Sequence, residues 1–269
     1  MKLNKDGIKE EDKKLAISLY NAIKQGNRCV GNPAEGLKET LKKLEAEETK
    51  GKEKVTDWLL DDRERKETIA KLKAGIKGEE DLSSFLSLLL KESKELDGVI
   101  AFASLSYEQE NNDKDYIPDS DFLLVFGTNI LIVDAKNIST NPDVPIWLNN
   151  GVIETVEKGK LILEVHPSTH IWEKVLNDKG LKFDTMDGYV CIVNTSGATI
   201  ERNEEWENSH TKLIHISELY QELLKWVETC KNNNTDICYL ATLTEIAKAQ
   251  IRKEKSGLNL DKMKRQLGI

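Results

Sequence analysis

Long apolar runs are what this sequence lacks most clearly. Its longest mostly apolar stretches, Phe85–Leu90 and Phe122–Phe126, fall far short of the roughly 20 residues a bilayer span needs. The first residues, Met1 to Asp6, hold no apolar core, so no secretion signal is expected. Cysteine is scarce and scattered: Cys29, Cys191, Cys230 and Cys238 form no CxxC pair. That excludes a disulfide or zinc framework and fits reduced thiols in a cytoplasmic protein. With 16 Gly and 5 Pro in 269 residues, the chain is neither collagen-like nor low-complexity. A basic excess is also missing. Lys and Arg number 39 against 47 Asp and Glu, a net charge of −8. This argues against a dedicated nucleic-acid coat or repressor, which carries a basic footprint. It leaves room for an enzyme that grips phosphates through metal ions. No Walker loop, GxGxxG fingerprint or serine-nucleophile elbow is present.

What remains is a chain long enough to bury a core without staples, and it divides by composition. Residues 1–73 are rich in Lys and Glu and predict a helical arm or subdomain. Asn32-Pro33 reads as a helix start, followed by a stripe of Leu37, Leu41 and Leu44. Val55, Trp58, Leu59, Ile69 and Leu72 predict another helix. These helices either pack on the domain that follows or form an arm for a protein partner or self-association.

Residues 74–230 predict an α/β domain with a central mixed sheet flanked by helices. Gly75-Ile-Lys-Gly78 reads as a breaker, with a helix from Glu79 to Lys94. Strands are expected at Val99–Tyr107, Asp121–Phe126, Ile130–Asp134 and Gly188–Asn194. A weaker hairpin pairs Trp147–Val156 with Lys160–Val165. Helices are expected at Thr169–Asn177 and Ser217–Cys230, with an acidic loop over 201–212. Residues 231–269 supply a C-terminal helix, Leu240–Arg252, and a basic tail. The tail holds seven Lys/Arg against two acids between Lys248 and Arg265. It either adds salt-sensitive affinity for nucleic acid or folds back on the domain through Leu258, Leu260, Met263 and Leu267.

The chemistry concentrates in one hairpin. A tight turn at Gly127-Thr128 makes paired residues sum to 255, which sets Asp121 across from Asp134. Cβ atoms of such a pair lie roughly 4.5–5.5 Å apart, and like charges there destabilise a sheet unless a cation holds them. Lys136, two residues on, shares the face of Asp134. Two carboxylates select a hard cation, Mg²⁺ or Mn²⁺. The alternative is that both acids merely end their strands, and a one-residue slip would put them on opposite faces.

Several other residues have both a functional and an ordinary reading. His170 either contacts a substrate phosphate or caps and covers the surface with His166. Tyr107 and Tyr116 either stack on a base or pack. Cys191 is expected to be an inert core thiol.

The order of these pieces resembles the nuclease-related (NERD) domain of the PD-(D/E)XK nuclease superfamily over about residues 74–230. The family's Gly-x-x-Gly-Glu is similar to Gly75-Ile-Lys-Gly78-Glu79, with Glu80 as the neighbouring acid. Its strand Asp is similar to Asp121, and its acid-x-Lys-Asn to Asp134-Ala-Lys136-Asn137. Its later Asn-Pro-x-x-Gln is similar to His166-Pro167-Ser-Thr-His170, with His replacing both polar amides. The resemblance implies a Mg²⁺- or Mn²⁺-dependent nuclease acting on nucleic acid, DNA first. Asp121, Asp134 and Glu79 would be the metal ligands and Lys136 would position the attacking water. Without catalysis, the same fold would be a binding module for a protein or nucleic-acid partner.

Overall fold

The computed structural model describes residues 2–4, 12–49, 62–106, 119–138, 145–149, 152–155, 169–178, 180, 183–194, 199–202, 211–231, 237–239, 244 and 246. The expected segments Tyr107, Tyr116, Lys160–Val165, His166-Pro167 and the basic tail lie outside the described residues.

The core is a six-stranded mixed sheet. In chain order its strands are β2 (Cys29–Val30), β3 (Ile100–Ser106), β4 (Asp119–Phe126), β5 (Asn129–Lys136), β8 (Thr185–Ile192) and β10 (Thr211–His215). Their spatial order is β10-β8-β5-β4-β3-β2. The β3–β4 and β4–β5 pairs are antiparallel, whereas β5–β8, β8–β10 and β2–β3 are parallel. The central strands β4 and β5 read as continuous apolar runs because helices cover both of their faces.

On one face lie α3 (Asp62–Glu92) and α5 (Leu219–Lys231). Leu82, Leu86 and Leu90 of α3, with Leu223, Trp226 and Val227 of α5, pack on Phe122, Leu124, Leu131, Val133 and Cys191. On the other face, Ala16 and Leu19 of α1 (Lys13–Lys24) and Trp172, Val175 and Leu176 of α4 (Thr169–Asp178) cover Phe102, Leu123, Val125, Ile130 and Ile132. The helix α2 (Glu35–Thr49) pairs with the first half of α3. Two small sheets complete the described chain. One joins β1 (Lys2–Asn4) to β11 (Ile237–Tyr239). The other orders β7 (Val152–Thr155), β6 (Pro145–Asn149) and β9 (Thr199–Ile200).

The structure corrects the sequence expectation at four places. Gly75 and Gly78 do not break the helix: α3 runs unbroken from Asp62 to Glu92, across the boundary expected at residue 74. The glycines instead permit contact. A Cβ on Gly78 would meet Asn137 Cβ and Val193 Cγ2, each at 3.0 Å, and one on Gly75 would meet Leu37 Cδ1 at 3.1 Å. Helix α2 starts at Glu35 rather than at Pro33, because Ala34 adopts a left-handed φ of +56°. The expected arm Trp147–Val156 contains its own turn and pairs β6 with β7. The acidic loop ends at β10, an edge strand whose Leu213 and Ile214 are buried.

Candidate active site

The hairpin register is the one the sequence predicts. Phe122 pairs with Val133 and Phe126 with Asn129, around a two-residue turn at Gly127-Thr128. Gly127 has a φ of +60°, the left-handed conformation that such a turn requires. The β4–β5 ladder ends at the Phe122–Val133 pair, and Asp121 and Asp134 are the next residue on each strand. β4 changes face at Asp121, since Phe122 packs on the α3 side while the Ser120 hydroxyl bonds Trp172 of α4 on the other. Val133 of β5 also packs on the α3 side, so Asp134 belongs to the opposite face by alternation. On that face Asp134 is level with Val190 and Lys136 with Ile192. Val190 and Ile192 join Ile138, Ile146 and Leu213 in a small apolar cluster beside the site. Asp134 is only 9% exposed, while Asp121 and Lys136 are half-buried.

The Asp121 carboxylate reaches across to β5. Its Oδ2 accepts the backbone N–H of Ala135 at 2.7 Å. The residue level with Ala135 on β4 would be Ser120, which keeps its pair with Leu105 of β3 although the β4–β5 ladder has ended. Its hydroxyl accepts from Trp172 Nε1 of α4. Past Asp121, β4 therefore keeps its β3 ladder, and a carboxylate takes the place of the β5 ladder bond. The same Trp172 bond ties the start of α4 to the strand beside Asp121. His170 lies two residues before Trp172 in the first turn of α4; its side chain lies outside the described residues.

Glu79 occupies the inward stripe of α3, in step with Leu72, Leu82 and Leu86, and is 7% exposed. Glu80 is exposed and pairs with Lys38 at 2.7 Å. Of the two acids at the helix, Glu79 is the inward one. Its Oε2 accepts the backbone N–H of Ala34 at 2.8 Å, at the entrance to α2. The next amide, that of Glu35, donates to Ser104 Oγ at 3.3 Å. Ser104 of β3 is level with Asp121, between the pairs Ala103–Phe122 and Leu105–Ser120. It carries a left-handed φ of +51°. Ala34 and Ser104 are the two non-glycine residues with positive φ among the described residues, and no sequence signal marks either. Asn137, part of the resembling motif, fastens α3 to the end of β5: its Nδ2 donates to Ala74 O at 2.8 Å.

The resemblance implies that Glu79 joins Asp121 and Asp134 around one metal. Among the described residues, no group of three or more His, Cys, Asp or Glu is arranged to hold a metal ion. Glu79 arrives from α3 and bonds the entrance of α2, Asp121 bonds the Ala135 amide, and Asp134 lies on the face of β5 opposite Val133. What the hairpin offers is a pair of oxygen donors with a lysine two residues along the strand. That chemistry fits Mg²⁺ or Mn²⁺, which bind through one or two carboxylates and keep several waters.

Cys29, Cys191 and Cys230 are free thiols. Burial, with Glu218 adding to it, pushes the Cys191 thiol well up, as expected of an inert core residue. Burial, followed by Asp187 and Asp184, pushes Cys230 up to about 12. His215 Nδ1 accepts the Ser217 N–H, capping the short 3₁₀ turn Ile216–Glu218 that leads into α5. Among the described residues no helix is long and apolar enough to cross a membrane.

No family model, curated protein or solved structure matches the chain.

Proposed function

We propose that this protein is a metal-dependent nuclease of the PD-(D/E)XK type, hydrolysing phosphodiester bonds in nucleic acid, with DNA the first substrate to test. One observation carries the reading: Asp121 and Asp134 directly follow the last β4–β5 pair, the Asp121 carboxylate bonds the amide of Ala135 beside Asp134, and Lys136 lies two residues further along β5. Carboxylates on facing positions of a hairpin repel unless a cation lies between them. Asp121 and Asp134 would hold Mg²⁺ or Mn²⁺, which when bound neutralises charge on the scissile phosphate and acidifies a water. Lys136 orients that water and adds positive charge where the oxyanion develops. Buried apolar strands beneath the acids keep both carboxylates rigid. The mixed sheet flanked by helices is compatible with the PD-(D/E)XK architecture.

The test is incubation of the full chain with single-stranded DNA, duplex DNA and RNA, each with Mn²⁺ or with EDTA. Cleavage of one of them that requires Mn²⁺ supports the reading. Intact substrates in every arm contradict it.

A second reading has one observation in its favour. Glu79 and Asp121 each spend a carboxylate oxygen on a backbone N–H, as acids with a purely structural role do. A protein of that kind would be a nuclease-fold binding module, holding a nucleic-acid or protein partner without cutting it. Substrate retention in a gel shift without cleavage, unchanged by Mn²⁺ or EDTA, would favour it.

A further inference from the structure

We propose that a second copy of this chain docks on the outer ridge of α3, giving an antiparallel, two-fold pair of α3 helices. The inference stands apart from the nuclease reading and uses none of its site residues.

The buried stripe of α3 fixes where that ridge lies. Leu82, Leu86 and Leu90 are buried against the sheet. With successive residues turned by about 100°, Lys77, Asp81, Ser84, Leu88 and Lys91 fall within about 40° of the direction opposite Leu86. All five are exposed, so neither α2 nor α5 covers the ridge. Leu88 is 56% exposed and, with Ile17 of α1, is one of the large apolar side chains left in water among the described residues. Along the ridge the spacings alternate between four and three residues, the a/d period of a coiled-coil seam.

The ridge is complementary to itself. When two copies meet antiparallel with Leu86 level with the two-fold, opposed positions sum to 172. Leu88 then lies over Ser84 of the second copy, and Lys91 over its Asp81. The two-fold repeats both contacts. Lys77 comes to position 95, just past the end of the second α3, where carbonyls without an intrahelical partner favour a cation. Parallel pairing in register would set Asp81 against Asp81 and Lys91 against Lys91, so charge selects the antiparallel arrangement.

Ser84 suits the place beneath Leu88. Its hydroxyl already donates to Glu80 O at 2.9 Å within the helix, so covering it strands no donor. Asp81 pairs with Lys77 of its own helix, and Lys91 of the second copy brings a second cation to the same carboxylate. One helix pair is smaller than a standard stable interface, so the dimer is a weak one that dissociates on dilution.

Sedimentation equilibrium of the full chain over a range of concentrations reads the monomer–dimer balance, with thermal melting as the check on folding. Wild type should pass from monomer to dimer as concentration rises. Leu88→Lys should weaken the dimer by roughly 10-fold or more at an unchanged melting temperature, because both copies lose an apolar contact. Asp81→Lys and Lys91→Asp should each be monomeric, since each sets like charges against one another. Mixed together, these two single variants should form a heterodimer, because each chain then meets the opposite charge on the other. The double variant Asp81→Lys/Lys91→Asp should dimerise as the wild type does. A wild type that stays monomeric at millimolar concentration overturns the proposal. A dimer that survives Leu88→Lys also overturns it, by placing the interface elsewhere. So does a mixture of the two charge variants that stays monomeric, a result independent of Leu88.

Discussion

The Asp121 carboxylate accepts the Ala135 backbone N–H at 2.7 Å, so one of the two candidate acids also closes the β4–β5 hairpin. This separates its structural task from its charge. Asp121→Asn keeps an acceptor oxygen for that amide and should leave stability near wild type. Asp121→Ala strands the amide and should cost about 1–2 kcal/mol. Urea denaturation of the two variants measures the difference, and equal stabilities would contradict it.

Gly78 and Gly75 both sit inside α3, where alanine is ordinarily favoured over glycine by about 1 kcal/mol. Their surroundings give opposite expectations. A Cβ at Gly78 meets Asn137 Cβ and Val193 Cγ2, atoms fixed close to their own backbones. Gly78→Ala should lose about 1–3 kcal/mol despite the better helix former. A Cβ at Gly75 meets only the end of the Leu37 side chain, which has room to rotate, so Gly75→Ala should be neutral or stabilising. Melting temperatures that move in the same direction would refute the contact argument.

The same two glycines show where the sequence was legible. The turn at Gly127-Thr128 lies between two apolar runs of matched length, so the pairing from Phe126–Asn129 to Phe122–Val133 followed directly. Gly75 and Gly78 give an identical local signal, yet they serve a helix crossing a strand end at close range. Only the partner atoms on Asn137 and Val193 separate a breaker from a contact glycine. The ladder up to Phe122–Val133 was readable because strand pairing is a matter of counting. The change of face of β4 at Asp121 was not, because nothing local announces the Trp172–Ser120 bond that accompanies it. Ala34 and Ser104 carry no signal at all, since nothing about alanine or serine announces a left-handed backbone. Short strands such as Cys29–Val30 and Thr211–His215 draw their order from the neighbouring ladder more than from their own composition.

Ala34 is almost wholly buried and left-handed, with φ +56°. Ala34→Gly keeps the amide that bonds Glu79 and removes the Cβ penalty. Greater freedom of glycine in the unfolded chain offsets part of that gain. The net expectation is a stabilisation of up to about 1 kcal/mol, read as a raised urea midpoint at unchanged slope. Destabilisation would mean that the Ala34 methyl contributes more by packing than it costs in backbone strain.

Glu222 of α5 is buried and bonds Lys225 at 2.6 Å and Lys212 at 3.1 Å. Burial pushes its carboxyl up, but the two lysines outweigh that and hold it below the ordinary glutamate range. A group whose folded value is depressed stabilises the protein above its unfolded value and loses that contribution as pH falls through the folded one. At pH 7, Glu222→Gln should cost about 1–3 kcal/mol. The gap between variant and wild type should close as pH falls below about 4.3, the ordinary glutamate value. A gap that stays constant from pH 7 to pH 3 would show that the lysine pairs contribute nothing.

The central claim is that the facing acids Asp121 and Asp134 hold the cation for phosphodiester hydrolysis. It is tested most directly by cleavage of labelled DNA with Mn²⁺, comparing wild type with Asp134→Asn at matched folding. Wild type should cut, EDTA should stop it, and Asp134→Asn should fall by on the order of 10²–10³-fold or more. The folded apo variant should be slightly more stable than wild type, because repulsion with Asp121 is relieved. Cleavage by Asp134→Asn at the wild-type rate, or no cleavage by the wild type, would contradict the account.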